Sequence, residues 1–166
     1  MNLVYFDITY RDLIDFDDEL FLNVNRDRVE SSGLELDLNL ELQGLGSLRG
    51  HATYTDLDVV NSNLQLRGRP EWKVGLQWFY SLGQAIELSV DYLWVDEVIE
   101  ASRHTLENVD YTLDAYNTLD LGLNWRASDS VTVRATVSNV LDENYQQAVG
   151  FPATGIFPRL AVEVSL

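Results

Sequence analysis

The sequence predicts an all-β chain forming an antiparallel, up-and-down barrel segment of about eight strands, and three observations carry that expectation. Apolar and polar residues alternate with period 2 from end to end, whereas apolar residues at i, i+3, i+4 and i+7 do not recur over any useful length. The connections alternate between tight turns and long links. The strands so delimited carry one oily side and one wet side.

The strands are read in order as Leu3–Asp15, Leu20–Leu42 with a break near Val29, Ser47–Leu57, Pro70–Ser81, Ala85–Val95, Asp110–Ala127, Ser130–Asn139 and Phe157–Leu166. Within the second, Leu34, Leu36, Leu38, Leu40 and Leu42 oppose Glu35, Asp37, Asn39 and Glu41. Trp72, Val74, Leu76, Trp78 and Tyr80 oppose Lys73, Gly75 and Gln77, and Ile86, Leu88, Val90, Tyr92 and Trp94 oppose Glu87, Ser89 and Asp91. Leu119, Leu121, Leu123 and Trp125 oppose Asp120, Gly122, Asn124 and Arg126, and the last two strands repeat the pattern. QGLGS (43–47), LGQ (82–84) and ASD (127–129) supply small or conformationally permissive residues that close hairpins. Between them run long links at about 58–69, 96–109 and 140–156. Short turns therefore gather at one end of the strands and long loops at the other, the anatomy of a membrane barrel. Placing Leu42 opposite Leu48 across the first tight turn sets Glu41 against Arg49 and Asn39 against His51.

The 166 residues show no compositional break and read as a single unit, 1–166. A formal charge of -16, from 11 basic and 27 acidic residues, repels a polyphosphate backbone and argues against nucleic-acid binding. No cysteine is present, which removes disulfides and thiolate chemistry. A membrane-spanning helix, which needs about 18 consecutive apolar residues, is not found; a membrane strand needs only about 9–11 alternating residues and remains open. MNLVYFDITYRD lacks a basic n-region and an apolar h-region, so no signal peptide is read there.

Parity alone leaves two media open: a soluble barrel burying its oily face around a lipid-like ligand, or a membrane barrel turning that face to lipid. Aromatic residues on the apolar faces, several near strand ends (Trp72, Trp78, Tyr80, Tyr92, Trp94 and Trp125), and a row of five leucines favour lipid. Closure of the eight strands on their own is a further alternative; it requires Leu3–Asp15 to pair with Phe157–Leu166.

Several segments, DITYRDLIDF (7–16), RVESSGLELDLNLEL (28–42), LRGHATYTDLD (48–58), LRGRPEWKVGLQW (66–78), LDAYNTLDLGLNWRASDSVTVRATVSNVLDENY (113–145) and GFPATGIFPRLAVEVSL (150–166), follow one another in a recognisable order. Together they resemble the C-terminal part of TonB-dependent outer-membrane receptors of the cobalamin and siderophore type, the most specific match being Val137 to Tyr145. The resemblance implies a barrel of about 22 strands around an N-terminal plug, in the bacterial outer membrane. It further implies uptake of a large metal chelate, with energy delivered by TonB acting on that plug. The implied partners are outer-membrane lipid, the remaining strands and plug, TonB and the barrel-assembly machinery. The plug, the energy-coupling box and the earlier strands have no counterpart here, and Leu166 stands where the family usually ends in an aromatic residue.

Asp15, Asp17, Asp18 and Glu19 crowd a loop tip and are the one candidate group for a hard cation, although no EF-hand spacing accompanies them; a solvated tip is the ordinary reading. Asp56 and Asp58 are a second carboxylate pair that folding would have to bring to them. Asp142, Glu143, Asn144 and Tyr145 read as a structural bend. His51 and His104 are too few and too far apart for a zinc motif, with His51 expected on the polar face. No phosphate loop or nucleophile elbow occurs, so no enzyme and no cofactor is expected. Substrate contacts, on the receptor resemblance, fall to the long loops: Asn61, Asn63, Gln65, Arg67, Arg103, His104, Tyr111, Tyr116, Gln146 and Gln147.

Overall fold

The computed structural model describes residues 1–17, 20, 22–60, 66–101 and 110–165. The strands are β1 (Asn2–Asp17), β2 (Leu22–Leu42), β3 (Gly46–Val59), β4 (Trp72–Leu82), β5 (Ile86–Val95), β6 (Val98–Ala101), β7 (Asp110–Leu113), β8 (Tyr116–Arg126), β9 (Val131–Ser138), β10 (Gln146–Ala148), β11 (Phe151–Pro152) and β12 (Phe157–Val164). Eight of them form one antiparallel sheet in the order β1-β2-β3-β4-β5-β8-β9-β12, while β6-β7 and β10-β11 are separate two-stranded hairpins inside the long links.

The period-2 pattern fixes this arrangement. A continuous rung runs Leu40–Leu48–Trp78–Val90–Leu121–Val137, and the neighbouring rung runs Asn39–Arg49–Gln77–Asp91–Asp120. Because adjacent residues alternate faces, the apolar set stays on one side and the polar set on the other across these strands. The polar side is knitted laterally: Gln77 Nε2 donates to Asp91 Oδ2 at 2.5 Å, Asn124 Nδ2 to Glu87 Oε2 at 2.9 Å, and Arg134 meets Glu163 at 2.6 Å. His51 lies on this side, its ring over Gly75, where a β-carbon would sit 2.1 Å from Cε1. Glycine is what lets the imidazole lie flat against the sheet.

Four sequence expectations need correcting, and one alternative is excluded. β2 runs unbroken through Val29, which is fully buried between Tyr10 and Val59. The first hairpin is tighter than expected: Leu42 pairs with Gly46, so Glu41 faces Ser47, Asn39 faces Arg49 and Asp37 faces His51. The reason is that Gly44 (φ 76°) and Gly46 (φ 87°) let Leu45 N donate to Leu42 O at 2.8 Å, closing a three-residue loop. Residues 110–127 are two strands, since the chain leaves the β6-β7 hairpin at Asp114 and joins the main sheet at Tyr116. β1 breaks the one-wet-side rule, with Val4, Phe6, Ile8 and Tyr10 on the polar-side parity, and Phe6 lying over Gly33. Finally, the eight strands do not close alone: β1 and β12 are the two edges of the sheet and do not pair with one another.

Nor is the oily face buried. Among the described residues the only buried apolar side chains are Val29, Val59 and Val95, and all three have polar-side parity near the loop end. Leu160 is 73% exposed, Tyr5 65% and Trp72 42%, so the apolar rows face outward with no second layer over them. A soluble barrel folded around its oily side would show the reverse. A large apolar side chain left in water forgoes about 1.5–3 kcal/mol, so this single-layer sheet needs a non-aqueous medium against that face.

Gly46 tests the turn geometry. An alanine there takes a left-handed backbone and places its β-carbon 2.0 Å from Phe79 O, whereas at Gly44 nothing lies within 4 Å. Gly46→Ala in the refolded full-length protein is expected to lower the urea unfolding free energy by about 1–3 kcal/mol and Gly44→Ala by less; equal effects would reject this turn.

Candidate functional site at the loop end

The loop end is built by three long connections that touch one another. Gly68 N donates to Ile99 O at 2.9 Å, tying the 66–71 segment to β6, and β10 packs beside β7. Gly68 sits at φ 72°, a left-handed backbone that favours glycine, with the flexible Glu100 carboxylate beside it. Arg67 Nε donates to Asp110 Oδ1 at 2.8 Å, joining the same segment to β7.

Under these loops lies a cavity of about 200 Å³ whose walls include Tyr116, Gln146 and Gln147 together with Asp96, Glu100 and Asp114. Its floor is the last rung of the β5-β8 ladder, Val95 opposite Tyr116, on the polar-side parity. A neighbouring cavity of about 220 Å³, which shares Asp96, is lined by Asp56, Arg69 and Glu71 among others. Amide, phenol and carboxylate groups on a partly apolar floor give the cavity both hydrogen-bonding and apolar surface.

The 139–156 connection shapes one wall. Asn139 is 4% exposed and left-handed at φ 51°. Its backbone N donates to Asp120 Oδ1 at 2.8 Å; its Nδ2 donates to Glu143 O at 2.9 Å and Thr154 O at 3.2 Å; its Oδ1 accepts from Glu143 N at 3.0 Å. Asp142, also left-handed, accepts at Oδ1 from Ile156 N at 3.2 Å. The expected bend over Asp142–Tyr145 is thus a hydrogen-bonded knot. It stacks Tyr145 on Tyr116, with ring centroids 4.0 Å apart and planes 14° apart. Burial first, then Tyr116, then Asp120 hold the Tyr145 phenol above its usual 10.0.

Of the loop residues chosen from sequence, the fold brings Tyr116, Gln146 and Gln147 to one cavity. Tyr111 pairs with Glu100 in the β6-β7 hairpin, beside that cavity's acidic wall. Asn61, Asn63, Gln65, Arg103 and His104 lie outside the described residues. At the other candidate group, Arg26 takes Asp15 at 3.2 Å and Asp17 at 3.3 Å, and Asp17 also caps Leu20 N at 3.0 Å. Asp18 and Glu19 are likewise outside the description. Asp58 pairs with Glu30 and Asp56 with Ser32, lower on the sheet than the Asp15–Asp17 ribbon. Among the described residues no group of three or more His, Asp or Glu side chains is placed to hold a metal ion. Sequence reading missed Asp96, Glu100, Asp114 and Asn139; the clustered acids flanking the 96–109 link and the polar Ser138-Asn139 at a strand end were the available signals.

A family profile described as "TonB dependent receptor-like, beta-barrel" matches residues 1–140. The chain belongs to that family. The vitamin B12 transporter BtuB of Vibrio cholerae serotype O1 is 31% identical over 70 residues, which are 42% of this chain and 12% of BtuB. The pyoverdine outer membrane receptor FpvA of Pseudomonas aeruginosa PAO1 superposes with a TM-score of 0.79 at 14% identity, over 99% of this chain and 27% of FpvA. The siderophore receptor PirA of Acinetobacter baumannii gives 0.77 at 14% identity, over 99% and 29%. These two likenesses are of fold. The chain spans about a quarter of the solved receptors it superposes on and 12% of the curated transporter.

The Tyr145 environment has a pH signature. A raised phenol means the folded state keeps its proton more tightly than the unfolded chain, so this contribution to stability is complete below pH 10.0 and declines as pH rises through the elevated value. In an alkaline absorbance titration of the full-length receptor, Tyr145→Phe is expected to delete a late-titrating phenol; loss of an ordinary one would contradict the stacking.

Proposed function

We propose that this chain is the C-terminal barrel segment of a bacterial outer-membrane receptor that takes up a large metal chelate, a siderophore or cobalamin, energised through TonB in the full-length protein. The observation that carries the reading is the outward row itself. Tyr5, Leu34, Tyr54 and Trp72 share one rung at the loop end, with Tyr54 and Trp72 in ring contact at 4.8 Å. One step beyond it the outward positions turn polar: Asp7, Ser32 and Asp56. Toward the short turns, Tyr80 and Trp125 mark the other border; Trp78 stacks on Tyr80 at 5.6 Å and donates its Nε1 to Leu45 O at 2.7 Å. Trp72 and Tyr80 are eight residues apart, roughly 26 Å along the strand; a strand tilt of about 35–45° reduces this to a height of roughly 19–21 Å, which lies within an apolar band about 25 Å tall between two aromatic girdles.

On this reading the outward rows meet lipid, while the polar side faces the lumen and the plug. The remaining strands close the barrel between β1 and β12, and the barrel-assembly machinery inserts it. The loop-end cavity, with Tyr116, Gln146 and Gln147, contributes to the chelate site, together with the loops that carry Asn61, Asn63, Gln65, Arg103 and His104. The vitamin B12 and siderophore relatives support the substrate class. Such a barrel works by binding and passage without bond chemistry, and is not an enzyme.

Two measurements test this. In cells making the full-length receptor, uptake of its chelate is expected to vanish when TonB is deleted; persistent uptake would reject energised transport. Val90 lies mid-strand between Trp78 and Leu121 on the outward side. Val90→Lys is expected to cost about 2–4 kcal/mol of stability in lipid, while Asp91→Asn, facing the lumen, should change it far less. Equal tolerance of both would reject the assignment of lipid to this face.

A further inference from the structure

We propose that Asn139 is a positioning residue for the chelate cavity, its carboxamide holding the 140–156 connection folded so that Gln146, Gln147 and the Tyr145–Tyr116 stack form the cavity wall. The inference rests on the receptor reading above and adds to it a residue that need not touch the ligand. The geometry is asymmetric in an informative way. One side chain clamps both limbs of the connection, the outgoing limb at Glu143 and the returning limb at Thr154, while its own backbone N is anchored on Asp120 within β8. The segment between the two clamped points carries Tyr145, Gln146 and Gln147. A second tie, Ala153 N to Tyr145 O at 2.9 Å, lies inside the clamped loop, and Gly150 N bonds Gln146 Oε1 at 2.8 Å. These inner ties therefore shape the loop tip, and Asn139 sets where that tip stands relative to the sheet.

Two properties of asparagine fit this role together. It tolerates the left-handed backbone found at φ 51° better than most residues, and its amide offers a donor and an acceptor at once. Glycine keeps the first property and loses the second. Aspartate keeps the backbone tolerance and the acceptor for Glu143 N, but when ionised cannot donate to Glu143 O or Thr154 O. Removing the amide leaves partly buried backbone groups without it, a penalty equivalent to a roughly tenfold or larger shift in the population of the folded-in loop.

The test uses the full-length receptor. These 166 residues contain no cysteine, so Val98→Cys and Gln147→Cys, both lining the cavity, can be joined by a short bifunctional thiol reagent in outer membranes. The parent pair is expected to cross-link, and adding Asn139→Gly to lower the yield severalfold, with Asn139→Asp between them. In parallel, uptake of cyanocobalamin, a ferric hydroxamate and a ferric catecholate is measured against concentration. For whichever chelate the parent takes up, Asn139→Gly is expected to raise the half-saturating concentration about tenfold or more with the maximum rate retained. A uniform fall in maximum rate at unchanged half-saturation, or an undiminished cross-link, would overturn the positioning role. A parent that takes up none of the three would count against the receptor reading, while the cross-link alone still decides the role of Asn139.

Discussion

The whole sheet depends on an antiparallel ladder that keeps residue parity across neighbouring strands. From β2 to β12, hydrogen-bonded register places even-numbered leucines of β2 on the same side as Trp78, Val90, Leu121 and Val137. A slip by one residue in any strand would move its oily set into the polar array that includes Gln77–Asp91 and Glu87–Asn124. The backbone holds the rows together, and the rows in turn dictate the medium. With only Val29, Val59 and Val95 buried among the apolar residues described, packing within the sheet does not shelter the oily face. On the proposed receptor reading, hydrocarbon covers that face without a second protein layer.

What burial there is sits at the loop end on the polar side. On the proposed receptor reading, outward positions have lipid available and need no protein cover. At the rim of the polar side the long connections gather: Val95 is buried and lines the cavity with Val98, Glu100, Gln146 and Gln147, and Asn139 is buried among its own hydrogen bonds. Folding these loops inward is also what places polar and aromatic groups around a cavity. Site and rim packing are products of one arrangement. Glycine at 68 and left-handed Asn139 and Asp142 are its local requirements, because the chain must reverse direction tightly at those points.

The strands were legible because a half-exposed strand writes its two faces into alternate residues. Seven of the main-sheet strands start and stop within about two to four residues of the sequence boundaries, and the turn-and-loop alternation correctly gave their order. The hairpin register was not legible: Gly44 and Gly46 allow more than one loop length, and parity is the same whether Leu42 faces Gly46 or Leu48. β1 was misleading as well, since Val4, Phe6, Ile8 and Tyr10 take the polar-side parity, with Phe6 over Gly33 and Tyr10 opposite Val29, which alternation alone does not anticipate. At the site, Tyr116, Gln146 and Gln147 could be chosen from loop position, but their meeting with Asp96, Glu100 and Asp114 joins connections separated by whole strands.

By itself, the sequence determined the strand count of the main sheet, which side of each central strand is apolar, and the family to which the chain belongs. Each of these follows from local alternation or from residues close together in the chain. Only the tertiary structure decided that the sheet remains open at β1 and β12, that Arg26 engages Asp15 and Asp17, and that one asparagine clamps a loop against the cavity. Those outcomes depend on pairings between distant residues, where hydrogen-bond distance and side-chain reach choose among partners that a linear pattern leaves equivalent.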